Sequence, residues 1–278
     1  MSDGSGRIFA TSGNGVSPPA GPGNKPSADL SESVFRLAPS NGSLTAKDFF
    51  SPANAPQLDA HDTDLGSGGP VALPFGTAKH RHLLVQAGKD GRLFVLDRDN
   101  LGGRGATADH PVSLNGPLPG QWGHPAAFAG TGGNDFVYYL GAKDFLRALH
   151  FSTVTGKLIG AGNSPGTFPY GSGSPVVTSN GTNPASAVVW VVNRSGAKSA
   201  FDAFIAKPTG GKLKPLWSAP IGTAAKFTAP ATDNGRVYLG TADGKVFGFG
   251  IAATAPLSGA PANFGSANVG TAPTQPVT

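Results

Sequence analysis

A proline followed by a short apolar run recurs four times in this chain: Pro70-Val71-Ala72-Leu73, Pro125-Ala126-Ala127-Phe128, Pro175-Val176-Val177-Thr178 and Pro230-Ala231-Thr232. The prolines stand 55, 50 and 55 residues apart. After each comes a second strand-like run (His82 to Gln86, Phe136 to Leu140, Val188 to Val192, Val237 to Leu239) and a polar turn (Lys89-Asp90-Gly91, Lys143-Asp144, Arg194-Ser195-Gly196, Asp243-Gly244). A third run closes the pattern: Leu93 to Leu96, Phe145 to Leu149, Phe201 to Ile205 and Val246 to Phe249. The N-terminus repeats this grammar without its opening strand, through Arg7 to Thr11, the turn Gly13-Asn14-Gly15, and Val34 to Leu37 before Ser40-Asn41-Gly42-Ser43. A period of this length makes each repeat one small unit that buries its apolar face only against its neighbours.

The last repeat is shorter because Asp233-Asn234-Gly235 joins its first two strands, and Asn-Gly accepts the positive φ of a type I′ hairpin. The other three carry insertions there: Phe75 to Arg81, Gly130 to Asp135 and Asn180 to Ala187. Glycine (42) and proline (25) make up roughly a quarter of the 278 residues, and only 13% are charged, against about 25% in an average soluble domain. With no long helical periodicity, such punctuation favours short strands. The expected fold is all-β: a β-propeller of four-stranded blades, an incomplete ring of about five, with a β-sandwich as the alternative. The WD dipeptide is absent, and the Gly-Gly pairs keep no fixed place of the kelch kind.

Lys226-Phe227-Thr228-Ala229-Pro230 through Val237-Tyr238-Leu239-Gly240-Thr241-Ala242-Asp243-Gly244-Lys245-Val246-Phe247-Gly248-Phe249 resembles the repeat of pyrroloquinoline-quinone (PQQ)-like β-propellers. Thr153-Val154-Thr155-Gly156-Lys157-Leu158 is similar to that family's closing segment, although Gly160 stands where a tryptophan is expected; Trp217 fits the docking tryptophan. Leu65 to Pro70, with His82 to Val85 and Gly88 to Leu93, resembles a bacterial subgroup of mostly exported, uncharacterised propellers. The tail, Asn263 to Thr271, is similar to the opening of an immunoglobulin-like repeat of the choice-of-anchor (ASH) type. The resemblance implies a propeller segment over residues 1–252 and a linker with the start of another domain over 253–278. It also implies a longer, exported parent protein, with its leader outside this sequence.

Quinone-dependent dehydrogenases of the family clamp PQQ under a vicinal disulfide and use a metal ion with an aspartate base. With no cysteine, this chain cannot form that clamp, and no acidic residue matches the base or the metal ligands. No cofactor is therefore expected, PQQ with Ca²⁺ being the alternative. The densest set of metal-ligand types is Asp59, His61, Asp62 and Asp64, whose oxygens suit Ca²⁺ if a loop turns them inward. The competing reading is an Asp-rich loop that caps backbone N–H groups. No catalytic residues are assigned, since G-x-S-x-G, G-x-G-x-x-G, Walker and H-E-x-x-H motifs are all missing.

The net charge of +5 is spread thinly, with Lys79-His80-Arg81-His82 the densest basic stretch, so nucleic acid is not the expected partner. The strongest apolar run, Ala187 to Val192, is far short of the roughly 20 residues that span a bilayer. The expected role is a non-catalytic scaffold or binding module for a protein or carbohydrate partner, with Val16–Ser31 and Gly102–Gln121 as projecting loops. A dehydrogenase-like enzyme and a surface adhesion protein are the alternatives.

Overall fold

The computed structural model describes residues 1–250, so the segment expected to open a second domain lies outside the described residues. Five antiparallel sheets follow one another along the chain. The first holds β1 (Ile8–Thr11), β2 (Val34–Ser40) and β3 (Ser43–Phe50). A six-residue helix, α1 (Ala55–Ala60), leads to the second sheet: β4 (Val71–Ala72), β5 (Leu83–Ala87), β6 (Leu93–Asp97) and β7 (Ser113–Asn115). The third contains β8 (Ala126–Phe128), β9 (Phe136–Leu140), β10 (Phe145–Phe151) and β11 (Leu158–Thr167). The fourth contains β12 (Val176–Thr178), β13 (Val188–Asn193), β14 (Ser199–Ile205) and β15 (Pro215–Gly222). The fifth has β16 (Ala231–Asp233), β17 (Arg236–Gly240) and β18 (Val246–Gly250). Each sheet is a simple meander in chain order.

The four strands that follow Pro70, Pro125, Pro175 and Pro230 are equivalent: each is the first of its sheet, and β4 touches β8 while β8 touches β12. These are the inner strands of β-propeller blades. Proline suits this place because the hub-side edge of a blade has no ladder partner to receive an N–H. In the first sheet residues 1–3 stand in for the inner strand, through a Ser2–Ile8 bridge and a Phe9 N–H bond to the Met1 carbonyl (2.8 Å).

Successive side chains of a strand point to opposite faces, and here both faces are covered. Along β5, Leu83 and Val85 pack toward the third sheet, while Leu84 packs toward the first. Along β9, Val137 and Tyr139 join the core shared with the second sheet, and Phe136, Tyr138 and Leu140 the core shared with the fourth. In β13, Val189 and Val191 face the third sheet, and Trp190 and Val192 the fifth. Four cores thus separate five sheets, and among the described residues none joins the fifth sheet to the first. Among the described residues nothing covers the outer face of the fifth, where Val246 is 79% exposed. The recurring aromatics of the second strands, Phe136, Tyr138 and Trp190, are inter-blade packing residues, as their recurrence suggests. Tyr238 is half-buried.

Three expectations need correction. Asp59 is not in a loop but in the last turn of α1, whose short run after Pro56 carries no readable periodicity. Gly102–Gln121 is not simply a loop, since it contains outer strand β7. Its beginning is bonded to the first sheet, where Gly103 N–H reaches the Phe49 carbonyl at 2.7 Å. Nor does Val16–Ser31 project freely: Arg104 Nη1 bonds the Pro18 carbonyl (2.6 Å), and Gly21 N–H bonds the Arg104 carbonyl (3.0 Å).

The segments that lead into successive blades are tied to one another around the hub. Gly69 N–H bonds the Gly123 carbonyl (2.6 Å), Gly123 N–H the Ser67 carbonyl (3.0 Å), and His124 N–H the Ser174 hydroxyl (3.0 Å). The approach is so close that a Cβ on Gly173 would lie 1.6 Å from the Thr228 carbonyl oxygen. Gly173→Ala is therefore expected to lower the urea midpoint by the equivalent of about 1–3 kcal/mol, as overpacking does. Gly160→Ala, where an added Cβ meets nothing within 4 Å, should stay within about 0.5 kcal/mol of wild type. Equal effects at the two positions would contradict the close crossing.

Candidate binding face

In a meander of antiparallel strands, the turn between second and third strands lies on the same side as the segment leading into the blade. The backbone confirms the pairing in four blades. Lys89 N–H bonds the Asp64 carbonyl (2.9 Å), Ala142 N–H that of Gly120 (2.8 Å), and Ala242 N–H that of Thr223 (2.8 Å); Arg194 N–H bonds the Ser172 hydroxyl (3.2 Å). One face is therefore built from lead-in segments and second turns, and both the acidic set and the lead-in aromatics lie on it.

At its acidic end, the structure gives Asp59, Asp62 and Asp64 to nearby donors. Asp59 accepts from Gly15 N–H (3.0 Å) and from the hydroxyls of Ser17 and Ser31. Asp64 accepts from Asn14 N–H (3.2 Å), and Asp62 from Asn14 Nδ2 (3.0 Å). The Lys89 ammonium lies 2.6 Å from Asp64 and 3.1 Å from Asp62, where it competes with any cation for those oxygens. Its hydrogen bond and charge lower the Asp62 pKa. The bond to Asp64, above all, raises that of Lys89. His61 Nδ1 bonds back to the Gln57 carbonyl of α1 (2.7 Å). Among the described residues no three His, Cys, Asp or Glu groups are arranged to hold a metal ion. Asp59 and Asp64 cap the backbone N–H groups of Gly15 and Asn14, while the remaining contacts of the four residues are to side chains and, for His61, to a carbonyl.

Beneath this end lies a residue that sequence reasoning passed over. Glu32 is 0% exposed and has a left-handed backbone (φ 47°). Its Oε2 accepts the Leu65 N–H (2.5 Å), while Oε1 has no partner. Burial pushes its carboxyl up to about 7; the negative charges of Asp64 and Asp59 add to this, while the Leu65 bond and Lys89 oppose it.

The other end is aromatic and basic. Trp122, Tyr170 and Phe227, each on a lead-in segment, meet edge to face: 5.1 Å and 89° for the first pair, 5.8 Å and 86° for the second. Lys226 Nζ stands 4.9 Å from the centroids of both Tyr170 and Phe227. Phe227 has φ 64°, an uncommon conformation for a bulky residue. His124 is half-buried beside this row. Gly171-Ser172-Gly173-Ser174 lies pinned beneath it, its serine hydroxyls accepting from the backbone of Arg194 and His124. A separate aromatic cleft of about 500 Å³ lies where Trp217 meets Trp190 (6.0 Å) and Phe249 (5.1 Å). Trp217 does dock on the following blade, yet it stays 41% exposed.

No protein-family model matches this sequence, and no curated protein does. Solved structures similar to it include a 6-phosphogluconolactonase candidate from Bacteroides uniformis, at 14% identity and TM-score 0.46, covering 76% of this chain and 58% of that one. The quinohemoprotein alcohol dehydrogenase of Comamonas testosteroni is 16% identical, TM-score 0.46, over 75% of this chain and 38% of that one. A glycosidase candidate from Bacteroides thetaiotaomicron is 15% identical, TM-score 0.36, over 78% and 82%. The chain thus spans less than two thirds of the first and of the dehydrogenase, and at these identities the likeness concerns the fold alone. No helix among the described residues is long and apolar enough to cross a membrane.

The native state holds a proton on Glu32 up to about pH 7, whereas the unfolded carboxyl loses it near the ordinary 4.5. Between those values the folded chain binds more protons, so this residue makes stability fall as pH rises. Glu32→Gln is expected to flatten that slope and to raise stability at pH 7.5 by on the order of 3 kcal/mol. Urea titrations from pH 4.5 to 7.5 read both effects; an unchanged slope would contradict the assignment.

Proposed function

We propose that this chain is a non-catalytic binding module of an exported protein, and that it binds a carbohydrate on the lead-in face. The observation that carries the reading is the Trp122–Tyr170–Phe227 row: three rings supplied by three successive blades and held by backbone bonds around the hub. Half-buried aromatic rings offer large contact area at low entropic cost. Rigid strands beneath such a surface keep recognition residues in place before a partner arrives. No charge relay or activated nucleophile is required by this reading, which asks only for shape and stacking.

An oligosaccharide array is expected to give signal with the wild type and with Trp217→Phe, and to lose it with Trp122→Ala combined with Tyr170→Ala. A silent array, or signal that survives the double substitution, would move binding away from this face. Adding PQQ with Ca²⁺ is expected to produce neither a change in its absorbance nor dye-linked alcohol oxidation. Turnover would replace the binding reading with an enzymatic one.

A further inference from the structure

The basic end of the face contains two cations from different blades. Arg194 comes from the second turn of the fourth blade, and Lys226 from the segment leading into the fifth. They converge over Gly171: a Cβ built there would lie 3.1 Å from Lys226 Cγ and 3.4 Å from Arg194 Cδ. Gly171 itself has φ +81°, a second reason for the absence of a side chain between them. Among the described residues neither cation has a carboxylate within ion-pair distance. The Arg194 guanidinium makes no side-chain hydrogen bond among the described residues; its Nε is sealed from solvent, so an anionic oxygen meets its outer nitrogens. An unpaired guanidinium and an unpaired ammonium on one face are both donors to a carboxylate.

Resting on the carbohydrate reading above, we infer that the ligand is an acidic saccharide, whose carboxylate lies against Arg194 and Lys226 while a sugar ring stacks on the neighbouring aromatic row. Lys226 links the two halves of such a site, because its ammonium lies over Tyr170 and Phe227 at once. A base and a sugar can each stack on a single ring face; the saccharide follows from the carbohydrate reading, and a nucleotide is an outcome that the test separates. A sugar needs only one open ring face, which stacks against its C–H groups.

The test is calorimetric titration of the full chain with tetragalacturonate, with its methyl ester, and with adenosine monophosphate. The methyl ester keeps the sugar rings and removes the charge. The acid is expected to bind at least ~10-fold more tightly than the ester, with an affinity that falls as salt rises. Lys226→Gln alters an exposed side chain and should weaken the acid more than the ester, erasing most of that preference. Arg194→Gln should act in the same direction, with circular dichroism confirming its fold. Trp122→Ala should weaken acid and ester alike. Equal affinities for acid and ester, or a preference untouched by Lys226→Gln, would overturn the anion site and leave the binding face standing. Binding of both saccharides that ignores Trp122→Ala would overturn the face itself. Absence of saccharide binding, or adenosine monophosphate binding as tightly as the acid, would overturn the ligand class.

Discussion

A small sheet with apolar residues on both sides cannot exist alone in water, and this requirement organises the whole chain. Leu83, Leu84 and Val85 are consecutive and all fully buried, as are Val137, Tyr138 and Tyr139. Alternation sends neighbours to opposite faces, so each run demands a layer on either side. Repetition answers that demand: every blade covers the next, and the contribution of each core depends on the one beside it. Bonds between lead-in segments then fix the rotation from blade to blade, and the close crossing at Gly173 fixes their distance.

The parts of this design that were readable share a local cause. Inner strands announce themselves because proline is tolerated only where a ladder bond is not needed. Second and third strands do so because burial on both faces makes them continuously apolar. Outer strands were harder to see. β11 contains Gly160, Gly162, Pro165 and Gly166, and β15 contains Pro215 and Pro220; both pair through shifted registers. At the rim of a blade, neither composition nor alternation is strictly imposed, so the pattern dissolves.

The face shows the same division. Acidic density from Asp59 to Asp64 was plain in the sequence, but Lys89, the ion-pair partner of Asp62 and Asp64, comes from the turn between β5 and β6. Glu32 carries no local mark at all, because its perturbed carboxyl follows from what is folded over it. Arg194 and Lys226 belong to different blades and meet only because Gly171 leaves room. The two ends differ accordingly: Lys89 pairs with two of the acidic carboxylates, whereas Arg194 and Lys226 have no carboxylate partner among the described residues.

The lead-in segments serve two purposes at once. Tyr170 stands two residues before Ser172, which accepts the Arg194 N–H, and Trp122 stands two before His124, which bonds to the Ser174 hydroxyl. The rings are thus mounted on the same backbone that laces neighbouring blades together. On the proposed reading, a ligand seated against these rings would load the bonds that join the blades, so grip and stiffness would rise and fall together.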